Sequence, residues 1–147
     1  EALVAPVTPS EVALPRLNIL IADDVLLNIE VLRLMLGKTH RVTCVGGGAQ
    51  AAQAAADEHF DVVLMDVQMP EVDGLEATRR IRAHELAAER RPVPIIALTA
   101  SAQPQDIVAT AAVGMNGFVT KSSKLPVLLA EIARVLALPQ DAPAMVS

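Results

Sequence analysis

Two rhythms of hydrophobic and polar positions run along this chain. One is a short, unbroken apolar run that ends on a polar residue, and Val62 to Met65 is its clearest case, leading directly into Asp66. Such a run reads as a strand buried on both faces, as in a parallel sheet covered by helices on either side. Leu17–Ala22, Arg41–Val45, Ile95–Leu98 and Gly117–Thr120 read as four further strands. The other rhythm has the helical period. Leu125, Leu128, Leu129, Ile132, Val135 and Leu136 follow one another at helical spacing and form a stripe that must face a core. Helices are also expected over 25–36, closed by Gly37, over 49–58 after the turn Gly46-Gly47-Gly48, and over about 75–86 after the turn signal Asp73-Gly74. Another is expected from Pro104 to Val113, ended by Gly114.

Five strands alternating with five helices imply a parallel sheet with right-handed crossovers and helices on both faces. On the helix 25–36, projection at 100° per residue places Val25, Leu32, Met35 and Leu36 toward the core, opposite Leu26, Glu30 and Arg33. Leu26 and Leu34 then flank the polar side, so this helix is expected to expose apolar surface. Arg79, Arg80, Arg82, His84 and Glu85 read as a solvated face of the third helix. Residues 1–16 hold Pro6, Pro9 and Pro15 and read as a linker before a domain at 17–137, with 138–147 as a tail.

Composition narrows the function. With 147 residues, 52% of them hydrophobic, the chain suits one domain with a sizeable core, built from Ala, Val, Leu and Ile because Trp and Tyr are absent and Phe occurs twice. The net charge of −5, without a basic tract, argues against nucleic-acid binding. A single cysteine, Cys44, excludes an intrachain disulfide and favours a reducing, cytoplasmic home. No apolar run approaches the ~20 residues of a membrane span, so no direct membrane contact is expected. The chain begins with Glu1 rather than Met, which suggests a piece of a longer protein.

The carboxyl ends of parallel strands share one edge, and ligands bind in the crevice outside it. That edge receives Asp23 and Asp24 from the first strand, Asp66 from the third, Thr99 from the fourth and Lys121 from the fifth. Singly, each has an ordinary explanation: Asp and Thr cap helices, and a Lys at a strand end is solvated. Together they form a coherent set. Crowded carboxylates raise one another's pKa, and a divalent cation relieves the conflict. An oxygen-only donor set suits Mg²⁺, which uses one or two carboxylates alongside phosphate oxygens. A carboxylate in such a site can act as a nucleophile on phosphorus, with an ammonium and a hydroxyl to neutralise and bind the phosphoryl group.

The motifs ILIADD at 19–24, VVLMDVQMPEVDG at 62–74, PIIALTA at 94–100 and GMNGFVTK at 114–121 resemble the receiver domain of two-component response regulators across about residues 17–137. The resemblance implies a three-layer, flavodoxin-like fold with strand order 2-1-3-4-5. It makes Asp66 the phosphoacceptor, with Mg²⁺ as cofactor. Asp23 and Asp24 become the acidic pair, Asp24 and Asp66 direct ligands of the ion, and the Gln68 backbone carbonyl a third. Thr99 becomes the switch hydroxyl, Phe118 the switch aromatic and Lys121 the phosphate-pairing lysine. The segment Val25-Leu26-Leu27-Asn28 and the motif MDVQMP look most like receivers attached to hybrid sensor histidine kinases. The partner implied is a kinase dimerisation domain or a histidine phosphotransfer domain, docking on the first helix. Such domains promote their own phosphotransfer and dephosphorylation, and the parent chain would be a histidine kinase.

One position departs from the family pattern, in which a proline joined by a cis bond follows the lysine. Here Ser122 follows Lys121. A cis bond before a non-proline residue costs ~2.5–4 kcal/mol, so the bond is expected to be trans and the loop displaced, which calls the reach of Lys121 into question. Three alternatives stand beside the receiver. A degenerate receiver would bind partners without phosphorylation. A dinucleotide-binding enzyme is suggested by Gly46-Gly47-Gly48-Ala49-Gln50-Ala51, which fits G-x-G-x-x-A, although after the second strand instead of the first. A phosphohydrolase would need a second acid near Asp66, and Gln68 is not one.

Overall fold

The computed structural model describes residues 14–137, so the linker expected at 1–16 lies mostly outside the described residues, and the tail at 138–147 wholly so. Ten elements alternate along the described residues. The strands are β1 (Asn18–Ala22), β2 (Arg41–Val45), β3 (Val62–Asp66), β4 (Ile95–Thr99) and β5 (Gly117–Thr120). The helices are α1 (Leu26–Leu36), α2 (Gly48–Asp57), α3 (Gly74–Ala88), α4 (Pro104–Ala112) and α5 (Leu125–Leu136). All five strands are parallel, in the order β2-β1-β3-β4-β5. Expected and observed ends differ by one or two residues, as helix and strand ends commonly do. Among the described residues no helix is long and apolar enough to cross a membrane.

Burial follows from the apolar runs. β3 is buried at every position, Asp66 included, because it is the central strand with a helical layer on each face. Alternate residues of the sheet feed two cores. Ile19, Ile21, Val62, Leu64, Ile96 and Val119 pack with Leu36 of α1 and Leu128, Ile132 and Val135 of α5. Leu20, Val63, Met65, Ile95 and Ala97 pack with Ala51 of α2 and Ala77 and Ile81 of α3, together with Phe60 and Met69. Small residues on α2 and α3 let the backbone come close. Asp73 caps α3, its Oδ1 accepting from the Glu76 N–H at 2.8 Å. A Cβ on Gly74 would lie 2.2 Å from the Asp66 carbonyl oxygen, and one on Gly48 2.2 Å from that of Val72. These two glycines seat the starts of α3 and α2 against the segment that follows β3, which fixes where Asp66 stands.

Two expectations fail. Val25 is 44% exposed at the start of α1, and Ile29 is buried instead, beside Leu36. Val25 is the N-cap of α1 and has extended backbone, so it stands off the helical projection that placed it on the core face. Arg82 and Glu85 do not belong to a solvated face. Arg82 donates to the carbonyls of Gly114 and Val93 and to Asn116 Oδ1, and pairs with Glu85 at 2.7 Å. Glu85, which is buried, in turn accepts from the Val93 N–H at 2.7 Å, so this partly buried pair ties α3 to the loops that enter β4 and β5. Arg79 and Arg80, by contrast, make only exposed pairs with Glu76.

Candidate functional site

The carboxyl ends of β1, β3, β4 and β5 deliver the expected residues to one rim. Asp23 directly follows β1, Asp66 closes β3, Thr99 closes β4 and Lys121 directly follows β5. One carboxylate oxygen from each of Asp23, Asp24 and Asp66 lies within 4.8 Å of the others. Asp23 and Asp66 are each 1% exposed, whereas Asp24 is exposed and its carboxylate carries no hydrogen bond or ion pair among the described residues. Asp23 is anchored. Its Oδ1 accepts from the Val25 N–H at 2.9 Å, and its Oδ2 accepts from the Asn28 side chain at 3.2 Å. Sequence reasoning gave Asn28 no role here. The signal available was a short polar residue one turn into α1, five positions after the acid.

Asp66 Oδ1 accepts from the Gln68 N–H at 3.1 Å, which fixes the carboxylate on its own loop. Oδ2 is fully buried and accepts no aligned hydrogen bond; its charged neighbour is Lys121 Nζ at 2.9 Å. The same ammonium is 3.7 Å from Asp23 Oδ2. Burial pushes the Asp66 carboxyl above the usual carboxylate range, and the neighbouring Asp23 charge adds to this, while Lys121 and the Gln68 N–H act in the opposite sense.

A buried, underpartnered oxygen beside two further carboxylates, one of them free, fits a hard divalent cation with oxygen ligands. The residues present therefore suit Mg²⁺, and the Gln68 carbonyl stands on the same short loop as Asp66.

The doubt over the lysine is resolved by geometry. No cis peptide bond occurs among the described residues, so the Lys121–Ser122 bond is trans as expected, yet the lysine still reaches Asp66. Thr99 stands at the rim and Phe118 inside β5, opposite Ala97, and among the described residues neither hydrogen-bonds Asp66. The Thr99 hydroxyl donates to the Ser101 carbonyl at 3.0 Å. Phe118 is half-buried against the core on the α2 and α3 side, and its N–H donates to Glu131 Oε2. Beside the rim, an apolar cleft of about 230 Å³ runs between α1 and α5, lined by Leu27, Val31, Met35 and Leu128, with Asp23 and Lys121 at its edge.

Comparison with known proteins gives consistent results. The family described as response regulator receiver domain matches residues 19–133. The sensory/regulatory protein RpfC of Xanthomonas campestris pv. campestris is 35% identical over 122 residues, which is 82% of this chain. The chain spans only 16% of the length of that relative. Among solved structures, the receiver domain of the sensor histidine kinase PA1611 from Pseudomonas aeruginosa, with a magnesium ion coordinated in its active site cleft, is 37% identical. It superposes with a TM-score of 0.74, covering 84% of this chain and 99% of its own. The receiver domain of Ssk1 from Saccharomyces cerevisiae, solved with the histidine phosphotransfer protein Ypd1, is 29% identical with a TM-score of 0.75, covering 82% of this chain and 89% of that one.

Proposed function

The chain belongs to the response regulator receiver domain family, and from that premise we propose that it accepts a phosphoryl group from a phosphohistidine onto Asp66, as the receiver of a hybrid sensor histidine kinase. The observation that carries this is the meeting of Asp66 Oδ2, buried and short of hydrogen bonds, with the Lys121 ammonium and two further carboxylates. A carboxylate oxygen of Asp66 attacks phosphorus, the P–N bond to the donor imidazole breaks, and that bond's electron pair stays on the imidazole nitrogen. Lys121 pairs with the transferred phosphoryl oxygens, and the Thr99 hydroxyl turns from Ser101 to donate to one of them. Phe118 repacks with that movement. Asp24, Asp66 and the Gln68 carbonyl would hold Mg²⁺, with Asp23 beside them already anchored by α1. When bound, the ion supplies positive charge against the phosphoryl oxygens.

The folded receiver extends over 17–137, following a linker at 1–16 and preceding a tail at 138–147, and it works in the cytoplasm. The match over residues 19–133 and the sensor histidine kinase that carries the similar PA1611 receiver support this placement. The donor is a kinase dimerisation domain or a histidine phosphotransfer domain, and it docks on α1. Leu26, Leu27, Val31 and Leu34 are exposed there by 47% or more, and Leu27 and Val31 line the cleft that has Asp23 and Lys121 at its edge. Of the Gly46–Gly48 tract that suggested a dinucleotide, Gly48 packs against Val72, whereas a Cβ on Gly46 would meet nothing within 4 Å.

Intact-mass measurement after incubation with Mg²⁺ and a small phosphodonor tests the reading. One added phosphoryl group is expected in the wild type and none in Asp66→Asn; a gain that survives the substitution overturns the assignment. Leu26→Asp is expected to slow transfer from the phosphohistidine donor while leaving small-donor phosphorylation unchanged. Equal losses on both routes would remove α1 as the docking surface.

A further inference from the structure

The proline that normally follows the phosphate-pairing lysine is absent here, and the lysine is nevertheless in place. Something else must hold it. Lys121 stands at the end of an edge strand, where its own N–H donates to the Thr99 carbonyl at 2.7 Å. That bond fixes the backbone of Lys121 but not the direction in which the chain leaves it. The following four-residue segment is a β-turn from Thr120 to Ser123, closed by the Ser123 N–H donating to the Thr120 carbonyl at 3.0 Å. Lys121 and Ser122 are its two central residues. A second bond closes the same turn through side chains: the Thr120 and Ser123 hydroxyls lie 2.9 Å apart, with the Ser122 hydroxyl 3.4 Å from that of Thr120. The turn leads into α5, whose start carries no side-chain cap.

From this we infer that Thr120 and Ser123 are positioning residues: their hydroxyl pair locks the turn that holds the Lys121 ammonium on Asp66 with a trans bond after the lysine. The inference rests on the phosphoacceptor reading for its consequence, but not for its geometry. A turn with trans bonds and no proline has many backbone states open to it, and a single backbone hydrogen bond at an exposed strand end is a weak constraint. The hydroxyl pair adds a second closure one side chain away. Because Thr120 and Ser123 sit at the two ends of the turn, loss of either hydroxyl removes the same bond. The lysine side chain, 29% exposed, then samples solvent instead of the carboxylates. Neither hydroxyl is bonded to Asp66, so their effect must pass through Lys121.

Two readouts test this in the intact chain. The first needs no phosphorylation. The sequence holds three lysines, Lys38, Lys121 and Lys124, and their rates of acetylation by a small amine-reactive reagent can be resolved by peptide mass spectrometry. In the wild type, Lys121 is expected to react several times more slowly than the other two. In Thr120→Val and in Ser123→Ala its rate should rise by about threefold to tenfold, the worth of one hydrogen bond. Ser123→Thr, which restores a hydroxyl, should return it to the wild-type rate. The second readout is the rate of phosphorylation by a small phosphodonor. It should fall by a similar factor in each single variant, fall no further in the double variant, and be insensitive to Ser123→Ala in a Lys121→Met background. An unchanged Lys121 acetylation rate in variants with wild-type thermal stability overturns the inference, as does an equal Ser123→Ala effect with and without the lysine. Absence of any phosphorylation, with the acetylation pattern as expected, would overturn the phosphoacceptor reading and leave the positioning role standing.

Discussion

Two carboxylates in this fold have been pushed in opposite directions, and each carries a consequence for stability. Asp66 is buried, faces Asp23 and has an oxygen with no aligned donor, so its ionised form is held at a cost at neutral pH. In metal-free buffer at neutral pH, Asp66→Asn is expected to raise the melting temperature by a few degrees, measured by circular dichroism; a fall would show that the Lys121 pair outweighs burial. Glu131 is the reverse case. Its carboxylate accepts from Arg134 at 2.8 Å and from the Phe118 N–H at 2.9 Å, and these bonds, the arginine's foremost, hold it below the usual range against the pull of burial. A carboxyl lowered in the folded state lends stability that is complete above its unfolded value and is lost as pH falls through the lowered folded one. Glu131→Gln should therefore cost about 1 kcal/mol at pH 7, a cost that shrinks toward zero in acid; a deficit constant with pH would contradict the ionic origin. The mutual push of the crowded acids on Asp66 was legible in the sequence, but its burial and the lowering of Glu131 were not. Asp66 announced itself by ending an apolar run, but its missing hydrogen bond depends on where β4 and β5 place their residues. Glu131 is one acid on a leucine-rich helix, and only the approach of α5 to the edge of β5 gives it a backbone donor.

At the scale of elements, apolar runs, helical spacing and turn signals identified all ten among the described residues, and the failures have separate causes. A helical projection measures direction around an axis and assumes helical backbone throughout and a core that takes only apolar residues. α1 breaks that assumption, because Val25 is its N-cap with extended backbone, so Val25 is exposed and Ile29, four residues later, is buried. α3 breaks it differently. Arg82 and Glu85 are charged, and charge is ordinarily solvated, yet they face the backbone carbonyls and N–H groups of the loops entering β4 and β5. A hydropathy pattern has no symbol for a charged residue that satisfies buried backbone. The same distinction separates Arg82 from its neighbours Arg79 and Arg80, which look alike in sequence and pair only with Glu76 in solvent. The lysine loop is the third case. A missing proline signalled a disturbed loop, whereas the compensation resides in hydroxyls at Thr120 and Ser123, residues too common in turns to stand out.

The whole molecule joins these scales through its topology. A parallel sheet sends every strand's carboxyl end to one side, so Asp66 must share a rim with Asp23 and Asp24, more than forty residues earlier in sequence, and their mutual repulsion becomes a property of the fold. The fold tolerates this because the two cores on either side of β3 hold Asp66 in place from strand and helix alike. A ligand that binds only the folded state stabilises it by mass action, by roughly 2.7 kcal/mol at a hundredfold excess over its dissociation constant. Mg²⁺ should thus raise the wild-type melting temperature in a concentration-dependent way, since it acts on the repulsion that folding creates. The substitution that relieves the same repulsion must weaken the response. Asp66→Asn is expected to start higher than the wild type without Mg²⁺ and to gain less from it, so that the two melting curves converge or cross as the ion is added. Parallel rises in both proteins would mean that Mg²⁺ binds elsewhere, and that the acids at this rim are crowded for some reason other than the ion.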